Sequence, residues 1–214
     1  MARSSEKTRR RIIDAAHALF YRRGFARVGV DEIAETAGIT KRSLYYHFDS
    51  KDKLLAAVLE AHHELAMARI QKWAISWSGD LDAMFDSLFA DLVRWASRPR
   101  FTGAGFTRLV MELADLPGHP ARAIASRHKA AVEAWFANEI ANKKVAKAQD
   151  VARQVLLLIE GATSLILIHG DSRYADAAAE AAKRLVGSGL EKASETRASK
   201  SSPSRGRSRR SRRD

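Results

Sequence analysis

Cysteine is absent from this chain of 214 residues, which excludes disulfide bonds and thiolate metal sites. The polar N-terminus, Met-Ala-Arg-Ser-Ser-Glu-Lys, lacks the apolar core of a signal peptide. The longest apolar stretch, residues 155–168, is interrupted by Glu160 and is too short to span a bilayer. Together these absences predict a soluble, cytoplasmic protein that does not contact a membrane.

Catalytic and metal-binding patterns are also lacking. Residues 170–172, Gly-Asp-Ser, resemble a serine-hydrolase nucleophile segment without its strand, and residues 103–105, Gly-Ala-Gly, lack the third glycine of a dinucleotide loop. His62 and His63 would point about 100° apart on a helix, which makes them a poor chelating pair. We therefore predict no enzyme, no cofactor and no metal site. Solvated or helix-capping roles are expected for His17, His119, His128 and His169.

The net charge of +12 lies at the two ends of the chain. Residues 1–53 carry 12 basic and 7 acidic side chains, residues 54–191 carry 16 of each, and residues 192–214 carry 9 basic and 2 acidic. A neutral middle suits packing and partner contacts, whereas basic ends suit a polyanion such as nucleic acid. The length allows one large domain or two small ones around a buried core.

Apolar residues recur at helical spacing along most of the chain, and no segment shows convincing strand alternation. This pattern predicts an all-α fold. The helix from residue 51 to residue 77 would be about 40 Å long, enough to join an N-terminal head to a separate body. Capping and breaking residues place the predicted helices at 5–23, 30–37, 41–47, 51–77, 80–97, 101–115, 120–144, 148–169 and from there to about 186.

Residues 28–51 contain the most informative pattern, two short helices about a glycine turn. Ile33, Ala34 and Ala37 form an apolar stripe, and Gly38 is suited to a left-handed helix end. Thr40 is an N-cap candidate for the second helix. Helices this short gain little stability alone, so they are expected to exist for the side chains that they display. The pattern is typical of a DNA-reading helix-turn-helix.

The second short helix would present cationic and aromatic groups on one side. Arg42, Tyr45 and Tyr46 fan over the side opposite the apolar Leu44. Arg42 can grip guanine or phosphate in a fork, and Lys41 lies at the end that usually meets base edges. The alternative is a solvated basic helix on an ordinary helical bundle. Two adjacent exposed tyrosines among lysine and arginine favour DNA binding.

A phosphate site is also predicted where the next helix begins. Ser50 is expected to cap that helix and Lys51 to be its first residue. A phosphate there would meet both the positive end of the helix dipole and an ammonium group.

At these positions the chain resembles the tetracycline-repressor (TetR) family of bacterial transcription factors. The resemblance covers residues 5–65 and rests on Ile12, Ala15, Ala16, Phe20, Gly24, Phe25, Val30, Ile33, Ala34, Ala37, Gly38, residues 43–48, Ser50, Lys51, Leu54 and Leu55. Gly29 departs from the family's serine or threonine, which caps a helix and touches a phosphate. The resemblance implies a helix-turn-helix DNA-binding domain at residues 1–50, with the motif at about 28–47. It also implies a ligand-binding and dimerisation domain at 51–190.

Three kinds of partner follow from the resemblance and the pattern. Double-stranded DNA is expected to contact Thr40, Lys41, Arg42, Ser43, Tyr45, Tyr46, His47 and Lys51. Helix 148–169 is apolar nearly all round, so it could be a core helix or half of a subunit interface, and alanines such as Ala177, Ala178, Ala179, Ala181 and Ala182 would allow close approach of two helices. The resemblance favours a homodimer.

The third partner is a small-molecule effector, which the resemblance places in a pocket of the body. Aromatic and methionine side chains at helical spacing are usually ordinary core, so each one also has that interpretation. An apolar lining would favour a hydrophobic effector. The candidate ligand-binding residues are Trp73, Phe85, Phe89, Phe106, Met111 and Trp135.

Residues 191–214 are predicted to be a disordered basic tail, because serine and arginine replace the helical pattern. The tail would either improve solubility or add nonspecific phosphate contacts. The whole sequence predicts a dimeric repressor that binds a palindromic operator and is released by a small hydrophobic ligand. The alternative is an architectural, nonspecific DNA-binding protein that is dominated by its tail and has no ligand control.

Overall fold

The computed structural model describes residues 2–76, 80–99 and 101–201, without the side chains of residues 2–3, 69–76 and 191–201. Within these ranges the chain is all-α, as predicted, and contains no strand. We define the head as α1–α3 and the body as α5–α9, with α4 between them. The helices are α1 (Ala2–Arg23), α2 (Val30–Thr36), α3 (Lys41–His47), α4 (Lys51–Ser76), α5 (Leu81–Ala96), α6 (Gly105–Met111), α7 (Pro120–Asn142), α8 (Ala148–His169) and α9 (Arg173–Ser201).

The turn between α2 and α3 has the predicted construction. Gly38 adopts a left-handed φ of 63°, a conformation that glycine tolerates at no steric cost. The hydroxyl of Thr40 accepts a hydrogen bond from the backbone N–H of Ser43 at 3.1 Å and caps α3. Ile33 and Leu44 are fully buried and hold the two short helices against α1. Tertiary packing, rather than length, therefore stabilises this pair.

Helix α4 connects the head to the body. Its 26 residues correspond to about 39 Å. Ser50 caps its start, because its hydroxyl accepts a hydrogen bond from the N–H of Lys53 at 3.1 Å. Leu54, Leu55 and Leu59 are fully buried, and α4 packs on α1 on one side and on α7 on the other.

The ends of α6 and α9 differ from the prediction. Helix α6 begins at Gly105 rather than near residue 101, because Gly103 has a φ of +77° that ends any preceding helical turn. It ends at Met111, short of residue 115. Helix α9 passes the predicted end near Val186 and reaches Ser201, so residues 191–201 are helical rather than disordered. Residues 202–214, the rest of the predicted tail, lie outside the described residues.

Two apolar cores organise the chain. The first combines the head and the start of α4 with Phe106 and Leu109 of α6, with Leu113 just after α6, and with the start of α7. The second joins α5, the end of α7, α8 and α9 around side chains such as Phe85 and Ile140. Replacing a buried phenylalanine such as Phe85 with alanine costs about 3–5 kcal/mol. The core that stabilises the head thus includes side chains of α6 and α7, which lie more than fifty residues beyond α3 in the sequence.

Helix α8 is longer than the apolar stretch that its sequence suggests. By length and composition alone the whole helix could cross a membrane, a test that core helices also pass, so the shortness of residues 155–168 does not by itself exclude a membrane span. Val155, Ala162 and Ile166 are buried against α5, α7 and α9, whereas Leu157 and Ile168 are exposed by 67% and 70%. One side of α8 is therefore core, and the opposite side is an uncovered apolar surface.

Candidate nucleic-acid interface

Helix α3 presents the side chains that the sequence predicts for base and phosphate contact. Tyr46 is 82% exposed and Tyr45 is 44% exposed, although large aromatic side chains are usually covered. Lys41 and Arg42 are exposed beside them. Leu44 anchors the opposite side of the helix in the head core. The result is a short, firmly seated helix with a cationic and aromatic outer face.

The remaining predicted residues of α3 surround this face. Thr40 is exposed, and its hydroxyl is already used as the N-cap. Ser43 and His47 are half-buried. The His47 ring stands edge-on to the Tyr46 ring at a centroid distance of 5.3 Å. This contact restricts the orientation of the most exposed aromatic side chain of the helix.

Lys41 forms an ion pair within the head. Its Nζ donates to Oδ2 of Asp31 at 3.0 Å, and both side chains are largely exposed. The hydrogen bond and charge of Asp31 raise the pKa of Lys41, so the ammonium is fully charged near neutral pH. The pair links the first turn of α2 to the first turn of α3. Asp31 thus partly neutralises the field of this lysine, a pairing that no local pattern in the sequence indicates.

Lys51 is more enclosed than predicted for a phosphate contact. Its Nζ donates to the carbonyl oxygen of Val28 at 3.0 Å and lies 4.2 Å from the centroid of the Phe25 ring. Desolvation lowers the pKa of Lys51, against the opposing charges of Asp52 and Glu112. An ammonium has three N–H donors, so one carbonyl bond leaves donors for a phosphate at the start of α4.

Gly29 occupies the N-cap of α2 with φ −85° and ψ 154° and makes no side-chain capping bond. A Cβ built at this position would meet no atom within 4 Å. The backbone of Gly29 therefore already has the conformation of a capping residue, and space for a hydroxyl is open.

Arg11 is a structural residue of the site that sequence reasoning missed. From α1 its guanidinium donates to the carbonyl oxygens of Ala37 and Gly38, the latter at 3.2 Å. These carbonyls follow the last turn of α2, where backbone acceptors lack helical partners. Arg11 thus fixes the glycine turn to α1. No local pattern marks it among the four arginines and lysines of residues 7–11.

The same geometry is found in a family of known proteins. Residues 12–58 match the family described as "Bacterial regulatory proteins, tetR family". A putative TetR transcriptional regulator from Streptomyces avermitilis, known from its crystal structure, is 30% identical and superposes with a TM-score of 0.69. That similarity covers 82% of this chain and 98% of the Streptomyces protein. The chain belongs to the TetR family. It is a DNA-binding transcriptional regulator and not an enzyme.

Curated relatives match limited stretches of the chain. The transcriptional regulator TtgR of Pseudomonas putida is 45% identical over 60 residues, which is 28% of this chain and 29% of TtgR. The transcriptional activator FasR of Mycolicibacterium smegmatis is 44% identical over 57 residues, 27% of this chain and 26% of FasR. The chain therefore aligns with less than a third of the length of these relatives. The family model, in comparison, matches residues 12–58, which are most of the head and the start of α4.

The structure does not bring the predicted effector-binding residues into one cavity. Phe85 and Phe89 are buried in the second core, and Trp135 is half-buried against Phe136. The side chain of Trp73 lies outside the described residues. Phe106 and Met111 do share a groove, which lies between α6 and α7 and has a volume of about 320 Å³. Its other lining residues are Thr107, Val110, Arg122, Ala125, Ser126 and Lys129.

The histidines are less uniform than predicted. His119 is a cap, because its Nδ1 accepts the backbone N–H of Ala121 at 3.1 Å. His17 and His128 are neither solvated nor capping, since each packs in a group of rings between α1 and α7. That part of the expectation was wrong, because residues far apart in sequence supply the other rings. Among the described residues, no group of three or more potential ligands could hold a metal ion.

Proposed function

We propose that this TetR-family protein represses transcription by binding a palindromic operator as a homodimer, and that a small hydrophobic effector releases it. The observation that carries the proposal is the outer face of α3, where Lys41, Arg42, Tyr45 and Tyr46 are exposed together on a helix anchored by Leu44. Arginine and lysine can pair with guanine edges or phosphates, and tyrosine can add hydroxyl and apolar contacts.

The uncovered side of α8 supports the homodimer. Leu157, Leu165, Leu167 and Ile168 are exposed there by 36–70%. A groove of about 540 Å³ lies beside Leu157, between α8 and α9. An exposed apolar patch on one face of a regulator is typical of a protein contact. A homodimer that reads a palindrome requires its two copies of α3 to lie about 34–36 Å apart, one turn of DNA.

The alanines of α9 contribute to this surface less than expected. Ala178, Ala179 and Ala182 are buried in the chain's own second core, where their small size lets α9 approach α5 and α8. Ala177 is exposed and Ala181 lines the outer groove. The proposed subunit contact therefore rests mainly on α8.

The proposed effector site is the α6–α7 groove together with the interior that it adjoins. Phe106 and Met111 give it apolar walls, which suits a hydrophobic effector. Helix α7 packs along α4, so a ligand that separates α6 from α7 would shift α4 and the heads. Release requires that the ligand bind this second arrangement more tightly than the DNA-bound one.

Selection of genomic DNA fragments, followed by footprinting, tests the proposal. A short protected palindrome with two half-sites about one helical turn apart is the expected result. Uniform protection along the fragment would instead support an architectural protein dominated by the 9 basic residues of positions 192–214. A promoter reporter then distinguishes repression from activation, the activity for which FasR is named.

A further inference from the structure

Rings from four helices meet where the head contacts the body, and we call this group the ring cluster. Neighbouring ring centroids lie 4.0–5.3 Å apart. The group joins the head, through α1, to α4 and to two helices of the body. Its members are His17 and Tyr21 of α1, His62 and His63 of α4, Phe106 of α6 and His128 of α7.

Two of the imidazoles form a hydrogen bond between α4 and α7. The Nδ1 atoms of His63 and His128 lie 3.1 Å apart, so one of them donates and the other accepts. This arrangement requires that at least one ring be neutral. A second proton would place two N–H groups and two positive charges against each other, and the contact would have to open.

When the head is packed on the body, which we call the docked state, the rings of His128 and His17 are more stable uncharged than charged. His128 is 7% exposed and stacks on Phe106 at a centroid distance of 4.0 Å. Burial lowers the pKa of His128 to about 4, and Lys129, His63 and His62 act in the same direction. Burial also lowers the pKa of His17, whose buried Nε2 has no hydrogen-bond partner.

The charged groups around the ring cluster do little to offset this preference. Asp14 favours charge on His17, but it is an exposed partner of Arg10, whereas Lys129 opposes charge on His128. The buried Tyr21 hydroxyl has no hydrogen-bond partner, and burial raises its pKa, so it stays neutral. The remaining charged groups are engaged with other partners: Glu60 with Arg127, Lys129 with Glu160, and Arg108 with the carbonyl oxygen of Tyr21.

We propose that the ring cluster makes docking of the head on the body sensitive to protons. Protonation of its buried imidazoles opens the contact between α1, α4 and α7, and the heads lose their fixed position. The loss of DNA affinity that follows rests on the proposed dimeric binding, whereas the opening itself does not.

Acid is expected to weaken the contact between the head and the body, because the pKa of His128 is lowered in the docked state. A histidine with a lowered pKa stabilises the docked state above its ordinary pKa of 6.5. That stabilisation is lost as the pH falls from 6.5 toward the docked value of about 4. For His128 alone, the ratio of open to docked molecules rises ~30-fold between pH 7.5 and pH 5. His17 acts in the same direction.

The test uses the full chain and compares hydrogen exchange with DNA affinity at pH 7.5 and pH 5. The amide of Ala26, which donates to Oε2 of Glu112 at 2.9 Å, reports the contact between head and body. The key variant is His128→Phe, which preserves the stack on Phe106 but cannot bind a proton. The matched control is His169→Phe, because His169 stacks on Tyr174 away from the head. His47, which lies on the DNA-reading helix, is unchanged in all three proteins, so its contribution to DNA affinity is common to them.

In the wild type and in His169→Phe, we expect hydrogen-exchange protection of the Ala26 amide, corrected for intrinsic exchange, to fall by a factor of several tens between pH 7.5 and pH 5. Their DNA affinity should fall in parallel. In His128→Phe, protection of the Ala26 amide should fall only a few-fold between pH 7.5 and pH 5. Equal acid sensitivity of all three proteins would overturn the proposal. So would a His128 ring that titrates near pH 6.5 in the wild type by NMR, a measurement that remains decisive if the variant does not fold. Acid opening that depends on His128 but leaves DNA affinity unchanged would contradict the proposed dimeric binding instead.

Discussion

The ammonium of Lys41 lies 3.0 Å from a carboxylate oxygen of Asp31, so one of the cations predicted to read DNA is already paired inside the head. Both side chains are largely exposed, and such pairs contribute little to stability in water. The effect of Asp31 on binding is different in kind. Its negative charge lies beside the place where a phosphate or base edge is expected.

Replacing Asp31 by asparagine is expected to strengthen DNA binding. The free Lys41 gains one phosphate contact, which should steepen the slope of log affinity against log salt by about 0.9. Measurement of the dissociation constant over a range of salt concentrations checks this. Asp82→Asn is the matched control, since Asp82 also lies in a first helical turn but on α5. An unchanged slope in Asp31→Asn would show that Lys41 stays away from the phosphates.

Gly29→Ser is expected to increase both stability and DNA affinity. The backbone of Gly29 already has capping dihedrals, and its missing Cβ would meet no atom within 4 Å. A serine hydroxyl can cap α2, worth a few tenths of a kcal/mol over glycine, and can donate to a phosphate. Urea unfolding and DNA titration measure the two effects. Gly29→Ala separates the hydroxyl from the loss of glycine flexibility, and an equal gain in alanine would refute the capping explanation.

Arg42→Ala is expected to leave the fold intact and weaken operator binding by about 1–3 kcal/mol if Arg42 pairs with a base. A loss that is similar for specific and nonspecific DNA would indicate a phosphate contact. Thermal unfolding and sedimentation establish that the variant is folded with its native assembly. Arg98→Ala, just past the end of α5, is the control for removing an exposed arginine. Retention of full affinity by Arg42→Ala would contradict the assigned site.

Leu157→Glu combined with Ile168→Glu is expected to convert the proposed dimer to a monomer. Both side chains are at least two-thirds exposed in the single chain, so the monomer should remain folded while the charges prevent apolar contact. Sedimentation equilibrium measures the change. Leu116→Glu alters a side chain that is 50% exposed before α7 and should remain dimeric. A double variant that stays dimeric would place the subunit contact elsewhere.

Gly105→Ala is expected to destabilise the protein by about 1–3 kcal/mol, because overpacking forces neighbours to move. A Cβ at Gly105 would lie 2.0 Å from the ring of Tyr21. Urea unfolding of Gly105→Ala, Tyr21→Ala and the double variant forms a thermodynamic cycle. The cost of the alanine at Gly105 should largely disappear when the Tyr21 ring is absent. Strictly additive effects would show that the two residues do not contact each other.

Local signals predicted the head well. Gly38, Thr40 and Ser50 occupy the cap positions inferred for them, because capping depends on a residue and its immediate neighbours. Helix ends without a strong breaker were less predictable. Helix α9 continues past Val186 because no proline stops it, although glycine and serine follow.

Long-range contacts were not predictable from one sequence. The pairing of Lys41 with Asp31 and the bonds from Arg11 depend on how three helices are placed in space. The same is true of the ring cluster, whose His63 and His128 are 65 positions apart. Aromatic periodicity indicated apolar helix faces but not which faces enclose a cavity.

The shared first core has a consequence for engineering. Leu109 of α6, Leu113 just after it and Ala125 of α7 complete the apolar core of the head. A hybrid made by joining residues 1–65 to the effector domain of another regulator would keep every group on the outer face of α3. It would also replace the α6 and α7 side chains against which α1 and α4 pack. Exchange of the effector domain therefore requires that these core side chains be kept with the head, or that their counterparts in the new domain be redesigned to fit it.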